Sequence, residues 1–149
     1  NSIGSDVVLG IYSKNLILNS NNSIKTVPIK KNLYTLIVKP DFGCSTKKIY
    51  SKIKKFTKPR FNLVSKHMFS IKFLKKMKND LELIAMNKHP KLYTLKKFLE
   101  KLSKIEFVRM TGSGSAIIAY FSSVKKCKEA EKKVKKQFRN YWCKTSKTI

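Results

Sequence analysis

The segment TGSGSA, Thr111 to Ala116, has the composition of a loop that a ligand can approach closely. Its residues are small or carry hydroxyl groups, and glycine tolerates positive φ and leaves its N–H group uncovered. Successive uncovered N–H groups form a concave surface that suits an anion or a polar ligand. A tight turn between two strands uses the same residue types. Taken alone, the segment therefore leaves a binding loop and a structural turn both open.

Three further segments carry side chains that could take part in chemistry: IGSDVVLG, VKPDFGCSTKKIY and NDLE. The first contains Asp6, whose carboxylate can accept a proton from an alcohol when it is held ionised. The second contains Thr46 and Tyr50, and a tyrosine ring can stack on a base. The third begins at Asn79. From composition alone, a turn or helix cap is favoured for Asp6 over a catalytic role, and Tyr50 fits a core position beside Ile53 equally well.

In this order and at these separations, the four segments resemble the 4-diphosphocytidyl-2-C-methyl-D-erythritol kinase family of the GHMP kinase superfamily. The resemblance covers essentially the whole chain. It implies ATP-dependent phosphorylation of the 2-hydroxyl of 4-diphosphocytidyl-2-C-methyl-D-erythritol, a step of the non-mevalonate isoprenoid route. Mg²⁺ would neutralise the transferred phosphates. The implied partners are this small molecule and ATP.

The resemblance also implies a role for each candidate residue. Asp6 would accept the proton of the attacking hydroxyl, although Val8 stands where the family usually has proline. Tyr50 would stack on the cytosine ring, and the glycine loop would face the active site from the side opposite the ATP loop. Asn79 to Glu82 would help to position a helix beside the cleft, and no metal ligand is implied. The implied substrate-binding set is Thr46, Tyr50, Thr111, Gly112, Ser113 and Gly114.

The family's N-terminal lysine, its main cytidine-clamping residues and its ATP loop have no counterpart in these 149 residues. We therefore expect the chain to correspond to the C-terminal part of such an enzyme and to lack kinase activity by itself. Two alternatives stay open. One is another GHMP small-molecule kinase, such as a homoserine or mevalonate-type kinase, although Tyr50 after GCST favours the cytidyl substrate. The other is a lysine-rich α+β module that binds nucleic acid.

The formal net charge of +26 at pH 7 is typical of proteins that bind nucleic acid or an anionic membrane surface. Here only Arg60, Arg109 and Arg139 are arginine, whereas proteins that read bases and phosphates favour the planar fork of arginine. The lysines are spread along the whole chain. We therefore expect no specific nucleic-acid partner, and no apolar run approaches the roughly 18 residues of a membrane span.

The cysteines and histidines suggest no metal site. Cys44, Cys127 and Cys143 are odd in number and far apart, without a CxxC pair, which argues against a disulfide framework and a zinc site. A reducing cytoplasm fits this usage. His67 and His89 have no acidic or cysteine partner at ligand spacing, so we expect both to be surface residues.

Apolar runs predict the elements that position these residues. VVLGIY, NLILN and IKTVPI, between Val7 and Ile29, predict short antiparallel strands, and LYTLIVKP predicts a buried central strand that stops at Pro40. We place a domain boundary near Lys31 and Asn32. Residues 1–32 would be the tail of an N-terminal domain, which the resemblance implies is ribosomal protein S5 domain 2-like. Residues 33–149 would form the C-terminal GHMP kinase domain.

Helical spacing then predicts three helices, the first capped by Ser45 or Thr46. Their apolar faces are Ile49, Tyr50, Ile53 and Phe56; then Met68, Ile71, Leu74, Met77, Leu81 and Ile84; then Leu92, Leu95, Phe98 or Leu99, and Leu102. A strand hairpin around the glycine loop, a helix from Val124 to Phe138 and an edge strand in NYWCKTSK follow. This order predicts an α+β fold with helices on one face of an antiparallel sheet, in a ferredoxin-like layout.

Overall fold

The computed structural model describes residue 11 and residues 16–19, 23–26, 32–58 and 66–148, the last range without the side chains of residues 66 and 67. The strands are β1 (Leu16–Leu18), β2 (Ile24–Thr26), β3 (Tyr34–Lys39), β4 (Ile105–Met110), β5 (Ile117–Phe121) and β6 (Trp142–Lys147). The helices are α1 (Thr46–Tyr50), α2 (Ile71–Lys75), α3 (Asp80–Lys88), α4 (Pro90–Glu100) and α5 (Val124–Gln137), and a 3₁₀ helix covers Lys66–Phe69.

Four strands form an antiparallel sheet in the order β4-β5-β3-β6. β3 lies in the middle, with Leu36 opposite Ala119 of β5 and Thr145 of β6. Helices separate β3 from β4 and β5 from β6 along the chain. This order of elements and strands is that of a ferredoxin-like fold, so the predicted α+β class and layout are confirmed. The edge strand predicted in NYWCKTSK is confirmed as β6.

The core lies between one face of this sheet and the helices. Alternate residues of β5 are fully buried, as the two-residue period of a strand requires: Ile117, Ala119 and Phe121. They face α4 and α5, whose buried positions recur every three or four residues: Leu92, Leu95 and Leu99, then Cys127, Ala130 and Val134. Full burial of one large aliphatic side chain stabilises a fold by roughly 1.5–3 kcal/mol. The hairpin β4–β5 is therefore fixed by tight packing of β5 against the helices.

The strands near the start of the chain pair with each other. β1 and β2 are antiparallel, with Leu16 opposite Thr26, which confirms the short strands predicted in NLILN and IKTVPI. Of the run VVLGIY only Ile11 is described. It is helical and its side chain is 75% exposed, so the strand prediction is wrong at this residue, which lacks the burial that favours a strand. The domain boundary near residues 31 and 32 stays a prediction.

The first predicted helix is shorter than its apolar spacing suggests. Ser45 caps α1 as predicted, but the helix ends after five residues at Tyr50. Phe56, predicted on its apolar face, is 62% exposed. The carboxylate of Asp80 accepts both the N–H and the hydroxyl of Thr57, which holds this segment in a non-helical connection. The predicted extension of the helix to Phe56 is therefore wrong.

The second predicted helix, with Met68 to Ile84 as its apolar face, consists of the 3₁₀ helix, α2 and α3. Two capping side chains separate the helices, since Ser70 Oγ accepts the N–H of Phe73 and Asn79 Oδ1 accepts the N–H of Leu81. A capping oxygen takes an N–H that would otherwise have no partner at a helix start, so each cap begins a new helix. The prediction of one continuous helix is therefore wrong. The spacings of three and four between apolar residues continue across both breaks, so they do not reveal them.

The last two predicted helices are confirmed as α4 and α5. Pro90 occupies the first turn of α4, where its missing N–H costs no hydrogen bond. α5 begins after Ser123, whose hydroxyl accepts the N–H of Lys126. Across the described ranges, every helix is too short or too polar to span a bilayer.

Candidate functional site

The glycine loop, Thr111 to Ala116, connects β4 to β5. The Thr111 N–H donates to the Ala116 carbonyl at 3.0 Å, and the Gly114 N–H donates to the Thr111 carbonyl at 2.9 Å. Gly112 has φ of 50° and Gly114 has φ of 89°. Both values lie in the left-handed region, which explains why glycine occupies both positions. The loop is therefore a tight, hydrogen-bonded turn of defined shape.

One side of the loop packs against the protein, and we call it the packed side: Gly114 and Ser115. A Cβ at Gly114 would lie 2.9 Å from Met110 Sδ and 3.1 Å from Cys44 Sγ. Ser115 is 4% exposed, and its hydroxyl donates to the carbonyl of Phe42. Glycine is thus required at residue 114 both for its φ and for space.

Two side chains, Cys44 and His89, pack behind the packed side. Burial raises the pKa of the Cys44 thiol above its usual value, and the Lys88 cation opposes this in part. The ring of His89 stacks on Phe42 with centroids 5.3 Å apart, and its Nε2 is buried with no hydrogen-bond partner among the described residues. His89 is only partly exposed, so the prediction that it is a surface residue is correct in part, and the stack on Phe42 accounts for the difference. The side chain of His67 lies outside the described residues.

The opposite side of the loop is accessible, and we call it the open side: Thr111, Gly112 and Ser113. A Cβ at Gly112 would meet no atom within 4 Å, and both Thr111 and Gly112 are exposed. In the part of the chain that the structure describes, no acceptor takes the N–H of Gly112 or of Ser113. Two neighbouring uncovered amides of this kind can donate to an anionic or carbonyl oxygen of a ligand.

Helix α1 borders the open side. Thr46 Oγ1 lies 2.9 Å from Ser113 Oγ, so a hydroxyl pair joins the helix to the loop. Tyr50 follows Thr46 by one helical turn and shares its face. Its side chain is 51% exposed, whereas the neighbouring Ile49 is fully buried in the core. The alternative that Tyr50 is a core aromatic is therefore wrong, and its role toward a ligand stays a prediction.

The structure thus brings most of the predicted substrate-binding residues together. Thr46, Tyr50 and the open side form one exposed surface, while Gly114 faces inward and shapes the loop. The side chains of Lys47 and Lys48 on α1 are also exposed beside it. Their charge raises the local concentration of an anionic ligand. Asp6, the predicted proton acceptor, lies outside the described residues.

Two residues beneath the loop have contacts that the sequence reading did not anticipate. Asn79 Nδ2 donates to the carbonyls of Met110, at 3.0 Å, and of Gly112, at 2.8 Å. Glu82 accepts the N–H of Met110 at 2.9 Å and forms an ion pair with Lys96. The pattern Asn-x-x-Glu before an apolar run is a helix-start signal that could have located α3. It carries no indication that these side chains reach the loop.

The family model described as "GHMP kinases C terminal" matches residues 53–143, which is more than half of the chain. The chain belongs to the GHMP kinase family. The whole chain is 51% identical to a 4-diphosphocytidyl-2-C-methyl-D-erythritol kinase of Pelagibacter ubique, of which it covers 53%. A kinase of the same name from Clostridium tetani is 31% identical over an alignment of 155 positions that covers 99% of this chain and 54% of that protein.

Two solved structures share the fold of this GHMP kinase chain. A crystal structure of 4-(cytidine 5'-diphospho)-2C-methyl-D-erythritol kinase superposes with a TM-score of 0.64 at 17% identity, over 82% of this chain and 45% of that one. A homoserine kinase from Cytophaga hutchinsonii gives a TM-score of 0.63 at 15% identity, over 90% of this chain and 47% of that one. The chain therefore spans about half the length of the relatives that it matches.

Proposed function

We propose that this GHMP kinase chain is part of an ATP-dependent kinase that phosphorylates the 2-hydroxyl of 4-diphosphocytidyl-2-C-methyl-D-erythritol. The 51% identity over the whole chain to a kinase of that name supports the choice of substrate. The observation that carries the proposal is the joined surface of Tyr50, Thr46 and the open side of the glycine loop. An exposed aromatic ring beside hydroxyl groups and uncovered amides suits a substrate that combines a base with phosphates.

The surface offers a separate contact to each part of this substrate. The ring of Tyr50 is half-exposed, and cytosine would stack on it. The N–H groups of Gly112 and Ser113 and the hydroxyl of Thr46 would donate to oxygen atoms of the substrate. The ammonium groups of Lys47 and Lys48 would add attraction for the diphosphate without fixed geometry. Thr111 would contribute its exposed hydroxyl at the edge of the surface.

In the proposed reaction, the 2-hydroxyl oxygen forms a bond to the γ-phosphorus of ATP while the bond from that phosphorus to the β–γ bridging oxygen breaks. ADP leaves, and Asp6 accepts the hydroxyl proton. Mg²⁺ would neutralise part of the phosphate charge. Over the described ranges, no three His, Cys, Asp or Glu side chains lie close enough together to hold a metal ion, so we assign no Mg²⁺ ligand to them.

The remaining parts of the proposal concern partners and location. We assign no specific nucleic-acid or membrane partner, because the positive charge is carried by dispersed lysines. We place the protein in the cytoplasm, since Cys44, Cys127 and Cys143 are free thiols, as a reducing compartment would keep them.

The test is a kinase assay on the full-length protein with ATP and 4-diphosphocytidyl-2-C-methyl-D-erythritol, with ADP release and the new phosphomonoester both measured. We expect turnover with this substrate and none above background with homoserine or mevalonate. Homoserine is a necessary comparison because the two solved folds match almost equally well. Turnover with homoserine or mevalonate alone would replace the proposed substrate. Binding to duplex DNA that weakens steeply with salt, without kinase activity, would favour the nucleic-acid module instead.

Asp6 is tested in the same assay by Asp6→Ala. We expect turnover to be abolished while substrate affinity stays within a few-fold, because a proton acceptor acts in the transition state and contributes little to ground-state binding. Asp41→Asn, at an exposed aspartate outside the candidate surface, is the matched control and should retain full activity. Retained turnover in Asp6→Ala, with or without lowered thermal stability, would mean that Asp6 is only a turn or capping residue.

A further inference from the structure

The geometry points to Asn79 as a positioning residue that holds the glycine loop in its ligand-binding shape, with Glu82 as a second anchor. This role rests on the proposed function of the loop. Neither side chain contacts the uncovered N–H groups of the open side. Asn79 donates to the carbonyls of Met110 and Gly112, and Glu82 accepts the N–H of Met110, both from the helix start beneath the loop.

Strand β4 lies at the edge of the four-stranded sheet and ends at the glycine loop. β4 pairs with β5 alone among the described strands, so its other edge has no neighbouring strand. In an antiparallel ladder the N–H and C=O of one residue point to the same side. At Met110 both groups point away from β5, since Glu82 accepts its N–H and Asn79 donates to its carbonyl. The start of α3 thus takes the place of the missing strand and fixes the point where the loop begins.

The side-chain amide of Asn79 joins the start of α3 to the glycine loop. Its Nδ2 donates to the carbonyls of Met110 and Gly112, and its Oδ1 accepts the N–H of Leu81. This arrangement uses both amide hydrogens and one oxygen lone pair, and two carbonyl acceptors fix which end of the amide is nitrogen. One side chain therefore caps α3 and clamps residues 110 to 112 together. Aspartate could supply the cap but neither donor.

Helix α4 holds the side chain of Glu82 in place. Glu82 is paired with Lys96 of α4, and both side chains are mostly buried, at 18% and 19% exposure. Lys96 also lies 3.5 Å from Glu100, one turn further along α4. The carboxylate that receives the Met110 N–H is therefore held by the next helix. A ligand-binding loop clamped at its entrance by two anchored side chains keeps Gly112 and Ser113 in one arrangement before the ligand arrives.

Asn79→Ser in the full-length kinase tests this role. Serine keeps a capping oxygen for α3 but cannot reach two loop carbonyls. We expect kcat/KM for the cytidyl substrate to fall roughly 10- to 100-fold, because a misplacement of about 1 Å at a site costs this much. Asn79→Asp, which also sets a carboxylate against two carbonyls, should lose more. The matched control is Ser123→Ala, which removes the cap of α5 and should lower thermal stability while leaving kcat/KM unchanged.

Amide hydrogen exchange on the same proteins gives a readout that does not need activity. In Asn79→Ser the amides of Thr111 and Gly114, both hydrogen-bonded within the loop, should exchange roughly 5- to 30-fold faster. In Ser123→Ala the increase should instead fall on the first turn of α5. If Asn79→Ser folds and leaves both kcat/KM and loop exchange unchanged, the positioning role is wrong. Faster loop exchange in a protein that phosphorylates none of the tested substrates would keep the clamp and overturn the proposed function.

Discussion

The two sides of the glycine loop contain the same kinds of residue and have opposite surroundings. On the packed side, a Cβ at Gly114 would lie 2.9 Å from Met110 Sδ, and Ser115 is 4% exposed. On the open side, a Cβ at Gly112 would meet no atom within 4 Å. Glycine thus occupies residue 114 because there is no room for a side chain and because φ there is left-handed. At residue 112 it supplies the backbone conformation and leaves the surface bare for a ligand.

The two sides of the loop should therefore respond differently to substitution, one through folding and the other through ligand binding. The packed side is held by hydrogen bonds and contacts to β3–α1 and β4, so changes there should affect folding first. The open side has spare hydrogen-bond donors and free space, so changes there should affect ligand binding first.

Gly114→Ala should lower the free energy of unfolding by about 2–4 kcal/mol, because it combines a left-handed φ with a side chain forced against Met110 and Cys44. Chemical denaturation of the full-length protein measures this. Gly43→Ala is the matched control, since a Cβ at Gly43 would meet nothing within 4 Å and φ there is not positive. Equal stability of the two variants would show that the packed side is not closely packed.

Tyr50→Ala should weaken binding of the cytidyl substrate by roughly 1–3 kcal/mol, because a base loses its stacking partner. ATP binding and thermal stability should hardly change, since the ring is 51% exposed. Tyr50→Phe keeps the aromatic face and should bind the substrate almost as well. Titration calorimetry with each ligand measures these effects. A similar loss toward both ligands, or a large loss of stability, would assign Tyr50 to the fold instead of the substrate.

Gly112→Ala should lower the free energy of unfolding by only about 1 kcal/mol, since φ of 50° is strained for alanine but the new methyl group meets no atom. Its methyl group would nevertheless stand on the open side and should raise KM for the cytidyl substrate. Thermal denaturation and steady-state kinetics on this variant measure the two effects. An unchanged KM together with a destabilisation as large as that of Gly114→Ala would remove the distinction between the two sides.

The sheet and the two long helices could be predicted from the sequence because each has one buried face and a regular period. LYTLIVKP became the central strand β3, and the spacing of Leu92, Leu95 and Leu99 became α4. The segment before them could not be predicted in the same way. There, Ser70 and Asn79 begin new helices without disturbing spacings of three and four, so periodicity alone predicts one long helix.

The candidate site likewise contains residues that the sequence could predict and residues whose contacts depend on the fold. The roles of the glycine loop, Thr46 and Tyr50 were predicted because their segments resemble those of one kinase family in order and separation. The clamp at Asn79 was missed because its partners are backbone carbonyls 31 and 33 residues away, which no local pattern encodes. His89 was assigned to the surface because its stack on Phe42 depends on how two distant segments pack. Long-range contacts of this kind follow from the fold and not from composition.

Hydrogen exchange across residues 110–116 of the full-length protein, measured with and without saturating 4-diphosphocytidyl-2-C-methyl-D-erythritol, tests whether the open side of the glycine loop receives the substrate. We predict that the amides of Gly112 and Ser113 gain protection when the substrate binds. The amides of Thr111 and Gly114, which already donate within the loop, should change little. Unchanged exchange at Gly112 and Ser113, with new protection elsewhere in the protein, would contradict the claim that the open side of the loop receives the substrate.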